Sequence, residues 1–181
     1  MTANAKHDDE AGLGLIELIV AVVVSGIILI AVVMIFINSW RAQEQVTSVT
    51  EATNRGQLIG STIERAMRNA LYFDVSESGT VLRVSTSLGG ELRCQGFRLT
   101  DGPAPGVAQW TSSSGTLPVD SSTWPEWQTN VAQQGSTAFF VQTIDDTLTY
   151  TFRIMTDASP VNLSGEVAPR STQATGSDGC W

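Results

Sequence analysis

One histidine, His7, and one lysine, Lys6, stand in a chain of 181 residues. The single histidine lies in a polar stretch at the N-terminus, which removes Ser-His-Asp and Cys-His catalysis and most zinc sites. Serine and threonine abound but lack a base to activate them. The sequence has no P-loop, no dinucleotide fingerprint and no cysteine-histidine cluster with metal spacing. Asp145-Asp146 falls at an expected turn, where aspartate is ordinary, and lacks the ligand run of an EF-hand loop. Positive charge is scarce too: ten basic against eighteen acidic residues give a net charge of −8. A wrapped nucleic-acid backbone needs a basic stripe, so it is not the expected partner. No enzyme, no cofactor and no metal are expected.

What the sequence does have is one long apolar run. Leu13–Ile37 is interrupted by only two polar side chains, Glu17 and Ser25. As a helix it would be roughly 37 Å long, against a hydrocarbon core of about 30 Å, enough to span with some tilt. A secretory signal has an apolar region of only about 7–15 residues and a small-residue exit. This run is longer and ends in "INSWRAQEQ", where Trp40 and Arg41 suit a membrane interface. A single-pass anchor is therefore expected over 13–37. Lys6 and the terminal amine on one side balance Arg41 and Arg55 on the other, so charge does not set the orientation. Glu17 is the anomaly, because a carboxylate at bilayer centre costs roughly 2.5–3.5 kcal/mol.

The stretch "GLGLIELIVAV", Gly12 to Val22, resembles the N-terminal signature of type IV pilins and pseudopilins: a short polar leader, a glycine, four apolar or small residues, then a glutamate. Leu13, where the family usually has phenylalanine, Gly14, often threonine or serine there, and an acidic leader are departures from it. The resemblance implies that a prepilin peptidase cuts after Gly12, removing leader 1–12, and that Leu13 becomes the N-methylated first residue. Glu17 would then stand at the fifth mature position and neutralise the amine of a neighbouring subunit, as an assembly and register device. The alternative is a glutamate that merely snorkels to the interface. "STIERAMRNALYFDV" is in turn similar to minor subunits of the PilW and GspJ kind, through Glu64-Arg65, Arg68 and Ala70.

These resemblances imply a minor pilin or pseudopilin in a pilus, secretion or competence filament. Its partners would be sibling pilins, the prepilin peptidase and membrane lipid. The chain would be anchored in the cytoplasmic membrane, with its headgroup on the non-cytoplasmic side. Retaining Glu17 argues against the extreme tip position, where no subunit above offers an amine. The other functional class is a membrane-anchored binding module capturing a ligand such as DNA or a surface glycan.

Beyond Ile37 the helical period continues over 38–71 in a more polar register, with Val46, Val49, Thr53, Gly56, Ile59, Ile63, Met67 and Ala70 on one face. With no proline before Pro103, one helix over about 14–71 would be roughly 85 Å long. Gly56 and Gly60 weaken it, or permit close backbone approach. After Leu71 the pattern changes to period two in "YFDVS", "TVLRVST", "ELRCQGFRL", "AFFVQTI" and "LTYTFRIMT", with turns at Gly89-Gly90 and Asp145-Asp146. The expected fold is α+β: a long N-terminal helix packed on an antiparallel β-sheet headgroup, 72–181. Residues 100–136 read as a long loop, the candidate ligand-capturing segment of the second class, in which Trp110, Trp124 and Trp127 are either anchors on the sheet or a binding surface. Cys94 and Cys180, an even count in a domain expected outside the membrane, are expected to form a disulfide rather than remain buried thiols. That bridge would close a loop of about 87 residues, worth about 4–5 kcal/mol in the chain-entropy account.

Overall fold

A computed structural model describes residues 13–88, 90–100, 106–170, 176 and 179–181. The expected leader, including Gly12, lies outside the described residues. The chain divides into two compact units, one ending at Gln45 and one comprising Val46–Trp181.

Helix α1 runs over Leu13–Arg68. In the first unit, every large apolar side chain from Leu15 to Ile37 is exposed, and the helix is long and apolar enough to cross a membrane. Each such side chain gains about 1.5–3 kcal/mol on leaving water, so this surface calls for an apolar surround. The helix ends three residues before the expected Leu71. Asn69 supplies the stop: its Nδ2 donates to Arg65 O at 2.7 Å and its backbone N–H to Ala66 O at 3.1 Å. Asparagine competes in this way for backbone groups that would otherwise continue the helix. Arg65 and Arg68 in the last turn also suit the negative end of the helix dipole.

The second unit is α+β, with eight antiparallel strands: β1 (Ala70–Ser76), β2 (Val81–Leu88), β3 (Glu91–Leu99), β4 (Gly106–Ser113), β5 (Glu126–Ala132), β6 (Phe140–Gln142), β7 (Leu148–Ile154) and β8 (Val161–Val167). Their order is β1-β2-β3-β4-β5-β7-β6, with β8 also paired to β7. Tyr150 pairs with both Phe140 and Gly165, and Ile154 with both Val131 and Val161. Strands β5 and β6 therefore share one edge of β7, and β8 takes the other. Both expected turns are present. Leu88 pairs with Glu91 across a turn in which Gly90 has φ of 87°, and Asp146 adopts φ of 55° between β6 and β7.

The loop expected over 100–136 is largely sheet, since β4 and β5 lie within it. The segment between these strands carries Pro118 and Pro125, and β5 is half-buried along most of its length. Both faces are partly covered, with the neighbours Ala108 and Gln109 both buried, which removes the alternation that marks a strand in sequence. Strand β8 lies outside the five stretches expected as strands, although Val161, Leu163, Gly165 and Val167 alternate with Asn162, Ser164 and Glu166.

The core lies between α1 and one face of the sheet. Ile59, Ile63 and Met67 are buried against Phe73, Leu82, Phe97, Phe140 and Phe152. The helical face begins later than the period predicts, because Val46 is exposed. It approaches the sheet closely at two glycines. A Cβ on Gly56 would overlap Leu163, and one on Gly60 would come within 2.9 Å of Tyr150 Oη. From the opposite side Gly165 makes room for the Tyr150 ring. Tyr150 Oη donates to Glu64 Oε1 at 2.8 Å, and Arg68 Nη2 donates to Glu64 Oε2 at 2.9 Å. Burial first, then this hydrogen bond, pushes the Tyr150 hydroxyl well above the ordinary tyrosine range. The unfolded chain would release that proton first, so this contribution is complete below about pH 10 and declines above it.

Gly165→Ala forces Tyr150 out of its seat, and we expect it to cost about 1–3 kcal/mol, the usual cost of overpacking. Urea unfolding of the full chain in detergent, followed by tryptophan fluorescence, measures this. Unchanged stability would mean that the ring does not depend on the glycine.

Candidate functional site

Three features carry the functional question: Glu17 on the apolar helix, the disulfide-bound outer face of the sheet, and one charged end of the headgroup.

Leu13 opens α1, and Glu17 lies one turn further along, exposed. Among the described residues no basic group forms an ion pair with Glu17. The nearest described cation along the helix is Arg41, about 36 Å away at 1.5 Å per residue. The described residues of its own chain therefore hold no cation within ion-pair reach of this carboxylate. The helical surround is uniformly apolar, with Ile16, Leu18, Val20 and Val24 all exposed.

The expected disulfide is present. Cys94 on β3 and Cys180 are bonded, with Cα atoms 5.4 Å apart and both residues fully buried. They belong to a second apolar cluster with Val81, Leu117 and Trp124, on the face of the sheet away from α1. The tail is also tied by hydrogen bonds. Leu117 N donates to Cys180 O at 2.8 Å and Thr116 Oγ1 to Gly179 O at 3.0 Å, while Trp181 stacks on Tyr72 at 5.8 Å.

The three tryptophans of the expected loop are anchors. Trp124 is buried over Gly96, where a Cβ would overlap its ring, and its Nε1 donates to Pro118 O at 3.2 Å. Trp110 on β4 and Trp127 on β5 are half-buried and pack together at 5.6 Å. A polar chain holds the Trp124 segment to the sheet: Arg98 Nη1 donates to Gln109 Oε1 at 2.8 Å, and Gln109 Nε2 donates to Trp124 O at 2.6 Å. Glu77 Oε1 accepts from Ser121 Oγ at 2.8 Å. Asp120 accepts from the Ser122 hydroxyl and then its backbone N–H, which holds its carboxyl below the usual range. These contacts turn polar and aromatic side chains into fasteners, and among the described residues of the second unit no aromatic side chain is fully exposed.

At the end of α1, Ser61, Glu64, Arg65, Arg68, Asn69 and Arg170 line a hollow of about 340 Å³. Arg170 lies over a hundred residues beyond Arg68, so no local pattern marks their convergence. Among the described residues no three His, Cys, Asp or Glu side chains come together to hold a metal ion. No family model matches the chain, and no curated protein or solved structure matches it either.

Cys94→Ser with Cys180→Ser should lower headgroup stability by about 4–5 kcal/mol, the chain-entropy value for a loop of this length. It should also release Trp181 from Tyr72. Denaturant unfolding with and without reductant measures the first effect, and protease cleavage of the tail the second. Equal stability of the oxidised and reduced chains would contradict it.

Proposed function

We propose that this chain is a structural subunit, of the minor pilin or pseudopilin kind, of a type IV pilus or related secretion or competence filament. A prepilin peptidase removes residues 1–12, Leu13 becomes the N-methylated terminus, and the apolar part of α1 anchors the chain in the cytoplasmic membrane before assembly. The headgroup lies on the non-cytoplasmic side, a placement supported by its buried disulfide, since such bonds persist in oxidising compartments.

The single observation that carries this reading is Glu17: a carboxylate among exposed apolar side chains with no counter-charge among the described residues of its own chain. Cleavage after Gly12 creates an ammonium four residues before it. Two such charges are each costly alone in hydrocarbon, and pairing between neighbouring subunits offsets much of that cost. Assembly then places Glu17 opposite the amine of the adjacent helix and fixes the axial register. The sheet contributes a rigid, anchored head, with its tryptophans committed to packing.

Glu17→Gln should still insert and be cleaved, because removing a charge eases insertion. Its association with sibling subunits should fall by roughly 3–5 kcal/mol, as for a broken buried pair. Glu17→Asp should be intermediate, with the same charge and a shorter reach. Cross-linking in membranes reads the association. Wild-type association of the Gln variant, with normal cleavage, would leave Glu17 without this role.

A further inference from the structure

Two features of opposite charge at one end of the headgroup have no part in the reading above. One is the turn between β6 and β7. Ile144 at its tip is 100% exposed, Asp145 and Asp146 beside it are also exposed, and Val141 stands at its base. The turn is stiff. Thr143 N donates to Thr147 O at 2.8 Å, Thr147 N to Thr143 Oγ1 at 3.2 Å, and Gln142 Nε2 to Asp146 Oδ1 at 3.1 Å. An exposed apolar tip flanked by two carboxylates is a poor arrangement for solvent and a good one for a cationic socket.

The other feature is the hollow at the end of α1. Its three guanidiniums, Arg65, Arg68 and Arg170, against the one carboxylate of Glu64 leave it at +2 in a chain whose net charge is −8. Glu64 is already engaged by Tyr150 and Arg68. Among the described residues no carboxylate forms an ion pair with Arg65 or Arg170.

Both features lie at the same end. Tyr150 sits beside Gly60 and Glu64, while Ile154 shares a groove with Ala52 and Arg55. Strand β7 thus runs antiparallel to α1, and the turn preceding it projects at the Arg68 end.

We propose that the Ile144-Asp145-Asp146 turn of one copy docks into the Arg65–Arg68–Arg170 hollow of a second copy standing beside it. Carboxylates pair with guanidiniums in forked hydrogen bonds, and Ile144 lies along the apolar stems of the arginines. Tip and hollow are different surfaces, so the contact is heterologous and passes from copy to copy. Exposed ion pairs are individually weak, so this contact selects the neighbour and sets its register, while the apolar helices hold the copies together. The inference rests on the filament-subunit reading and adds to it a like neighbour at the same level.

The test uses full-length chains in membranes. Both native cysteines are sequestered in the buried disulfide, so introduced thiols report cleanly. An Ile144→Cys chain and a Ser61→Cys chain, carrying different tags, are co-expressed and oxidised. A pair of Leu29→Cys chains, substituted at an exposed helix position, reports helix association independently. We expect a mixed disulfide-linked dimer from the first pair. Asp145→Arg with Asp146→Arg on the tip-bearing chain should lower its yield about tenfold, the effect of losing two exposed pairs. Arg65→Asp with Arg170→Asp on the other chain should restore it. Leu29→Cys dimers without tip-to-hollow dimers overturn the inference and leave the filament reading standing. Absence of both kinds of dimer overturns the two together. A tip thiol trapped only on a different protein, or a yield indifferent to charge reversal, also overturns the inference.

Discussion

The seat of Tyr150 between two glycines is the constraint on which the headgroup depends. Its ring needs the bare backbones of Gly60 on α1 and Gly165 on β8, and its hydroxyl closes onto Glu64. Strand β7 carries β5 and β6 on one edge and β8 on the other, so fixing Tyr150 fixes the centre of the sheet against the helix. Ile59, Ile63 and Met67 then fill the interval towards Phe73 and Phe97. Glycine in a helix costs roughly 1 kcal/mol relative to alanine, and here the cost is offset by aromatic packing and a charge-assisted hydrogen bond.

A single helix can cover only one face of such a sheet. The opposite face is closed by less regular means: a tail stapled through Cys94–Cys180, the buried Trp124, and a 3₁₀ turn whose Asp120 holds Ser122. Small domains with a modest core commonly rely on a covalent link of this kind. The arrangement leaves the ends of the headgroup, rather than its faces, to make new contacts. There Arg65 and Arg68 of the helix meet Arg170 of the tail, at the end from which the acidic turn projects.

Much of this was legible in the sequence where the signals were local. The helix period placed Ile59, Ile63 and Met67 in the core, and Gly56 and Gly60 proved to be sites of close approach. Two cysteines far apart implied one bridge, which is present. Strands with β-branched and aromatic alternation were visible, whereas β4 and β5 were not, because small and polar residues there face partly covered surfaces. Strand β8 alternates but is rich in Asn, Ser, Gly and Glu, and Asn69 stops the helix through a side-chain bond that periodicity does not encode. The arginine hollow required the fold itself, since Arg170 is brought to Arg68 only by the completed sheet. Glu17 is the reverse case: its anomaly stands out in sequence, and its own chain offers no described partner to explain it.

Filament subunits of the proposed kind are defined by what happens at the head of the apolar run, so the mass of the membrane-extracted chain is the most direct measurement. Processing after Gly12 and methylation of Leu13 predict an intact mass equal to residues 13–181, oxidised at Cys94–Cys180, plus one methyl group. A fully inserted, stably folded chain that retains residues 1–12 would contradict the assignment and return Glu17 to an unpaired carboxylate on a simple anchor.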